Sequence, residues 1–138
     1  MAMKTIILAL GLATLAACTQ GAPAEPQLGV REAKALDRLL AGKVAGTPVS
    51  CISSFDGSRL QVLGDNTLVY KASKTLVYRN TLQGACRGLA QGDTLVMNRL
   101  ISSQYCRGDI AHVVNLPSGA MSGSCALGDF VPYKTAGK

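Results

Sequence analysis

A chain of 138 residues, 48% of them apolar, can bury one ordinary core and is too short for a second large domain. Its formal net charge of +6 suits an anionic partner. With two Phe, four Tyr and no Trp it offers few stacking platforms, which argues against nucleic acid.

Lys4 precedes an uncharged run, Thr5 to Ala17, of mostly Ile, Leu and Ala. At 13 residues it is too short for a permanent span, which needs about 20. The length fits the core of a cleaved leader, and small residues stand before Cys18. The run Leu15-Ala16-Ala17-Cys18 resembles the lipobox of bacterial lipoproteins. That resemblance implies a diacylglyceryl thioether and an acylated amine on Cys18, which becomes the first mature residue. It also implies a membrane partner through that lipid. Thr19 stands where an Asp would retain an inner-membrane lipoprotein. The resemblance therefore implies an outer-membrane, periplasm-facing protein in a double-membraned bacterium. The competing reading is an ordinary secretory signal cut after Ala16 or Ala17. Thr19 to Gln27 holds two prolines and no large apolar residue, and reads as a flexible tether. The expected organisation is a leader at 1–17, an anchor and tether at 18–28, one domain at 29–134 and a tail at 135–138.

Val30 to Ala41 reads as a helix, with Ala33, Leu36 and Leu40 at helical spacing, Leu39 beside them and Gly42 as the stop. From Arg59 the period changes to two. Arg59 to Leu63, Thr67 to Lys71 and Thr75 to Arg79 read as a meander turning at Gly64-Asp65-Asn66 and Ala72-Ser73-Lys74. Pairing Leu63 with Thr67 sets Leu60 opposite Tyr70 and Val62 opposite Leu68. Pairing Lys71 with Thr75 sets Tyr70 opposite Leu76 and Leu68 opposite Tyr78. These six residues form one buried face. Gln61, Thr67, Lys71, Thr75 and Arg79 form the other, with Val69 and Val77 between them.

Thr94 to Ile101, Ile110 to Asn115 and Ala126 to Val131 are the remaining strand candidates. Pro117-Ser118-Gly119 is a turn, and Pro132 with the polar tail closes the domain. The expected fold is mainly β: a small antiparallel sheet curling toward a barrel or sandwich, with one N-terminal helix packed on it.

Five cysteines are an odd number. Lipidation of Cys18 would leave Cys51, Cys86, Cys106 and Cys125, an even set in an oxidising compartment, and two disulfides are the default. Three connectivities are open. We favour Cys51 with Cys125, which would join the two ends of the domain, and Cys86 with Cys106. The wide spacings lack the knuckle of a structural zinc site and the Cys-x-x-Cys of a redox centre, so no metal or cofactor is expected.

Several positions together resemble a family of small secreted bacterial proteins of unknown function. They are Cys51-Ile52, Tyr78-Arg79-Asn80 with Leu82 and Cys86, Gly88-Leu89, Cys106 with Asp109-Ile110, and Cys125 with Leu127-Gly128, Phe130 and Pro132. The resemblance spans roughly Cys51 to Pro132, is poor from Asp93 to Ser103, and implies a fold without a chemistry.

Catalytic signals are sparse. His112, the single histidine, shares a strand face with Ile110 and Val114 and reads as a core or rim residue; the rival reading is an enzyme that uses it. A Cys-His pair requires a free thiol, and no Gly-x-Ser-x-Gly elbow is present. The scattered aspartates sit mostly in turn contexts. Arg107-Gly108-Asp109 matches a cell-adhesion tripeptide but reads as a constrained turn beside Cys106. The expectation is therefore a non-enzymatic envelope protein with a structural or binding role. Its binding alternative uses Arg59, Lys71 and Arg79 on the outer sheet face against an anionic envelope ligand, such as lipid headgroups, or a protein partner.

Overall fold

A computed structural model describes residues 28–98 and 103–137. The leader, Cys18, the tether through Gln27 and positions 99–101 of the expected Thr94–Ile101 strand lie outside the described residues.

Helix α1 spans Val30–Leu40, as its apolar spacing predicts. Gly29 stands at its N-cap, with the Glu32 carboxylate folded back over it. At the other end Gly42 adopts φ +70°, and Lys43 Nζ donates to the Leu39 carbonyl (3.3 Å). Leu36 is buried, and Ala35, Leu39 and Leu40 pack beside it. Ala35 thus takes the place expected for Ala33.

Eleven strands are described: β1 (Lys43–Ala45), β2 (Cys51–Ser53), β3 (Leu60–Leu63), β4 (Thr67–Lys71), β5 (Leu76–Thr81), β6 (Gln83–Ala85), β7 (Thr94–Asn98), β8 (Gln104–Cys106), β9 (Ile110–Asn115), β10 (Ala120–Ala126) and β11 (Phe130–Thr135). They form a five-stranded sheet (β1-β11-β5-β4-β3), a four-stranded sheet (β6-β10-β9-β7) and a two-stranded ribbon (β2-β8), all antiparallel. The two larger sheets pack as a sandwich and do not close into a barrel. Leu68, Tyr70 and Phe130 of one meet Ala111, Val113 and Cys125 of the other, with Ile52 of the ribbon in the same core.

The β3–β4 register is the expected one, with Leu60 opposite Tyr70 and Val62 opposite Leu68. The β4–β5 register is displaced by two residues: Lys71 faces Val77, and Tyr70 faces Tyr78. Ser73 accounts for the shift. Its hydroxyl accepts from the Thr75 and Leu76 N–H groups (3.2 and 3.0 Å), and its own N–H donates to the Leu76 carbonyl (3.0 Å). These local bonds compete with the ladder and lengthen the turn. A shift of two preserves the faces, but it places Asn80 opposite Leu68, in the core.

The face expected to be outward is not a solvated polar surface along its length. Val69, Val77 and Leu63 are buried there against Leu36 of α1. The five-stranded sheet is therefore covered on both faces.

The expected strand Ala126–Val131 is broken. β10 ends at Ala126 and β11 begins at Phe130. Between them the chain crosses from one sheet to the other, and Asn80 holds the crossing. Its Nδ2 donates to the Gly128 carbonyl (2.7 Å), and its Oδ1 accepts the Gly128 N–H (3.1 Å). Gly128 passes so close to the Thr81 carbonyl that a Cβ would collide with it. Pro132 does not end the structure, because β11 runs through it to Thr135. Both polar groups of Phe130 bond Val49, and the Pro132 carbonyl accepts from Gly46 (2.7 Å). Pro132 thus lacks its N–H on the side away from β5, where no β5 bond is lost.

The favoured disulfide pairing is corrected. Cys51 bonds Cys106 and Cys86 bonds Cys125. Cys51 and Cys106 face each other directly in the ribbon. Cys125 pairs with Gly84, which brings it beside Cys86 just past the end of β6. Cross-strand register decides the partners, and the closure of chain ends does not.

Candidate functional site

Among the described residues a row of cations lies at one end of the five-stranded sheet. β3 enters there just after Arg59, and the Arg59 carbonyl accepts from Lys71 N–H (2.9 Å) at the end of β4. Lys74 sits in the turn between β4 and β5. β11 arrives with Lys134 opposite Leu76, and β1 starts with Lys43 opposite Thr135. Arg59, Lys74 and Lys134 are exposed, and Lys43 and Lys71 are half-buried. Arg59 also donates to the Ala72 carbonyl (3.3 Å), tying the row to the turn. Among the described residues none of these five cations lies within ion-pair distance of a carboxylate. The ion pairs seen there, Arg31–Glu32 and Arg107–Asp129 (both 3.5 Å), lie elsewhere.

The structure thus brings Arg59 and Lys71 together. Arg79 shares their sheet face but sits half-buried in mid-strand, between Val69 and Val131. Lys43, Lys74 and Lys134 join the row without having been singled out in the sequence. β1 is too short to show a period, and in sequence the last strand reads as ending at Val131, before Lys134.

At the other end of α1 two adjoining depressions of about 430 and 340 Å³ open beside the β3–β4 turn. Leu28, Glu32, Asp65, Cys86 and Arg87 line the larger. Its charges are mixed, and Asp65 is committed to the Ala90 N–H (2.7 Å). Three distant segments build this hollow, and only the Gly64-Asp65-Asn66 turn was legible.

His112 lies on the outward face of the four-stranded sheet between Val96 and Ser124. Its Nδ1 is buried and finds no hydrogen-bond partner among the described residues. All four domain cysteines are oxidised, so no thiol is there to pair with it. Asp93 and Asp109 do structural work. Asp93 accepts from Asn115 Nδ2 (2.8 Å) and from Ser122 Oγ (2.7 Å) at a bulge in β10. Gly88, at φ +96°, packs so tightly on that pair that a Cβ would strike both side chains. Asp109 is 2% exposed and accepts the Cys106 N–H (2.8 Å). The Arg107-Gly108-Asp109 tripeptide is thus a structural turn whose acid faces inward.

Tyr70 is a second deeply buried ionisable group. Its hydroxyl has no hydrogen-bond partner among the described residues. Burial, then the neighbouring Tyr105 and Asp109, push its phenol far above the ordinary value. Tyr78 is raised by burial and then by Asp56. Among the described residues no group of three or more metal-ligating side chains occurs, and no helix is long and apolar enough to cross a membrane.

Together these features define a small, doubly disulfide-bonded β-sandwich with a basic rim at one end. The chain belongs to DUF6491, a family of unknown function, whose profile matches residues 1–127. No curated protein and no solved structure matches it.

Proposed function

We propose that this protein is a lipid-anchored envelope lipoprotein with a non-enzymatic, structural or binding role. The parity of its cysteines carries the reading. Four of the five are joined in two disulfides, which suit an oxidising compartment. The fifth, Cys18, ends the Leu15-Ala16-Ala17-Cys18 motif. Each buried methylene of an acyl chain contributes about 0.8 kcal/mol, and more than one chain gives stable anchoring. Thr19 after the anchor favours the outer membrane, facing the periplasm. Within this role the uncompensated cations favour an anionic partner over a purely structural part.

Intact-mass analysis and membrane fractionation test the proposal. The native chain should carry acyl mass on Cys18 and fractionate with outer membranes. Cys18→Ser should abolish both. An unmodified Cys18 in membrane-purified protein would overturn the anchor. Turnover of an envelope substrate, lost on His112→Ala, would overturn the non-enzymatic role.

A further inference from the structure

We propose that the row Lys43, Arg59, Lys71, Lys74 and Lys134 is a docking surface for the anionic phosphate headgroups of the membrane that carries the anchor. The inference rests on the lipoprotein reading above and gives its binding role a place and a partner.

Topology draws the row. Four of the five strands, at their ends or in the adjoining turn, contribute one of these cations to the same end of the sheet, and Arg59 continues the line just before the fifth. Strands lie about 4.8 Å apart, so the row extends roughly 19 Å. That is far wider than one phosphate and suits an array of them. Neither of the two depressions lies at the rim. The two depressions adjoin the first turn of α1, whereas Lys43 follows its last turn. A flat, multiply charged partner fits such a rim better than a small anion does.

Two further observations favour a lipid surface. Phe55, four residues before Arg59, is 82% exposed. An exposed apolar ring so few residues along the chain from a cation of the row suits the boundary between headgroups and acyl chains. The tether also reaches. Nine residues lie between Cys18 and Leu28, and the ten Cα steps that join them can span about 35 Å when extended. The six residues of β5 cover only about 20 Å. A domain entered from the far end can therefore still lay its rim on the anchoring membrane.

The test uses the lipidated full-length protein, purified from its membrane and reconstituted into vesicles. One set contains phosphatidylcholine alone and the other includes phosphatidylglycerol. Amide hydrogen exchange is followed over Lys71 to Leu76. The expected result is severalfold slower exchange on the anionic vesicles only, reversed by raised salt. The triple variant Lys71→Gln, Lys74→Gln, Lys134→Gln should lose the slowing, since three cations together are worth on the order of 100-fold in surface affinity. Lys43 and Arg59 are left in place because they bond backbone carbonyls. Unchanged exchange over Leu68 and Val69 on neutral vesicles shows that the variant is folded.

Equal exchange on both vesicle types would overturn the proposal, as would slowing that survives the triple substitution. Slowing by added polyphosphate but not by anionic vesicles would replace the membrane with an acidic polymer. Protein that fails to float with the phosphatidylcholine vesicles would refute the anchor instead. Its co-sedimentation with phosphatidylglycerol vesicles would then still decide the rim: loss of pelleting in the triple variant supports it, and no pelleting of the parent protein refutes it.

Discussion

Replacing Tyr70 by Phe should stabilise this protein, although Tyr70 is among its most deeply buried residues. The ring is 1% exposed and packs on Phe130 and Tyr105, with centroids 5.6 and 5.9 Å away. Its hydroxyl finds no partner among the described residues. A buried polar group left unsatisfied costs about 1–3 kcal/mol. Phe keeps the ring contacts and leaves only a small void, so a net gain of about 1 kcal/mol is expected at neutral pH. For a domain of this size that is a rise in Tm of about 4 °C. The gain should grow in alkali. Below the ordinary tyrosine value of 10.0 both states hold the phenolic proton, and the contribution to stability is constant. Above it the unfolded chain ionises while buried Tyr70 does not. Stability then falls by about 1.4 kcal/mol per pH unit for this one group, until the folded pKa is reached. Tyr70→Phe removes that slope, and Tyr78, raised in the same direction, leaves a residual one. Urea denaturation of both proteins at neutral pH and at two values above 10 measures each quantity. A variant destabilised by more than about 1 kcal/mol at neutral pH would show that the hydroxyl is bonded. An unchanged alkaline slope would show that it is not shielded from ionisation.

Asn80→Ala should cost about 3 kcal/mol by denaturant titration, because it strands the buried N–H and carbonyl of Gly128 together. Loss of under 1 kcal/mol would mean that water or backbone shifts satisfy them. Gly128→Ala should cost about 1–3 kcal/mol through collision with the Thr81 carbonyl, measured as a fall in Tm. Non-reducing peptide mapping should recover Cys51–Cys106 and Cys86–Cys125 and no other pair. Removing either bond by paired Ala substitution should lower stability by about 4 kcal/mol for loops of 55 and 39 residues. A loss confined to one bond would show that the other cross-links structure already present in the unfolded chain.

The parts of this fold that were legible in sequence are those with a period. Helix α1 announces itself through Leu36, Leu39 and Leu40, and the β3–β4 pair through strict alternation across a turn with strong chemistry. The rest depends on events that local pattern does not encode. Ser73 moves β5 by two residues through three local hydrogen bonds, and Asn80 enters the core as a result. The three-residue strands β1, β2, β6 and β8 carry no period at all. Leu127 to Asp129 reads as the middle of an apolar strand until Asn80, 48 residues away from Gly128, converts it into a crossing. The basic rim was half visible. Arg59 and Lys71 belong to the meander, whereas Lys43 and Lys134 arrive from opposite ends of the domain through β1 and β11.

The interleaved order of the two disulfides has a consequence for how the protein withstands proteases. Cys51–Cys106 and Cys86–Cys125 overlap along the chain. A single cut anywhere between Cys51 and Cys125 therefore leaves both pieces covalently joined, and a cut between Cys86 and Cys106 is bridged twice. Nicking would show as two bands only after reduction, and neither half would be shed. The stretch before Cys51, which holds α1 and β1, and the stretch beyond Cys125, which supplies β11 and Lys134, lack this insurance. One scission beyond Cys125 would release β11 from inside the five-stranded sheet.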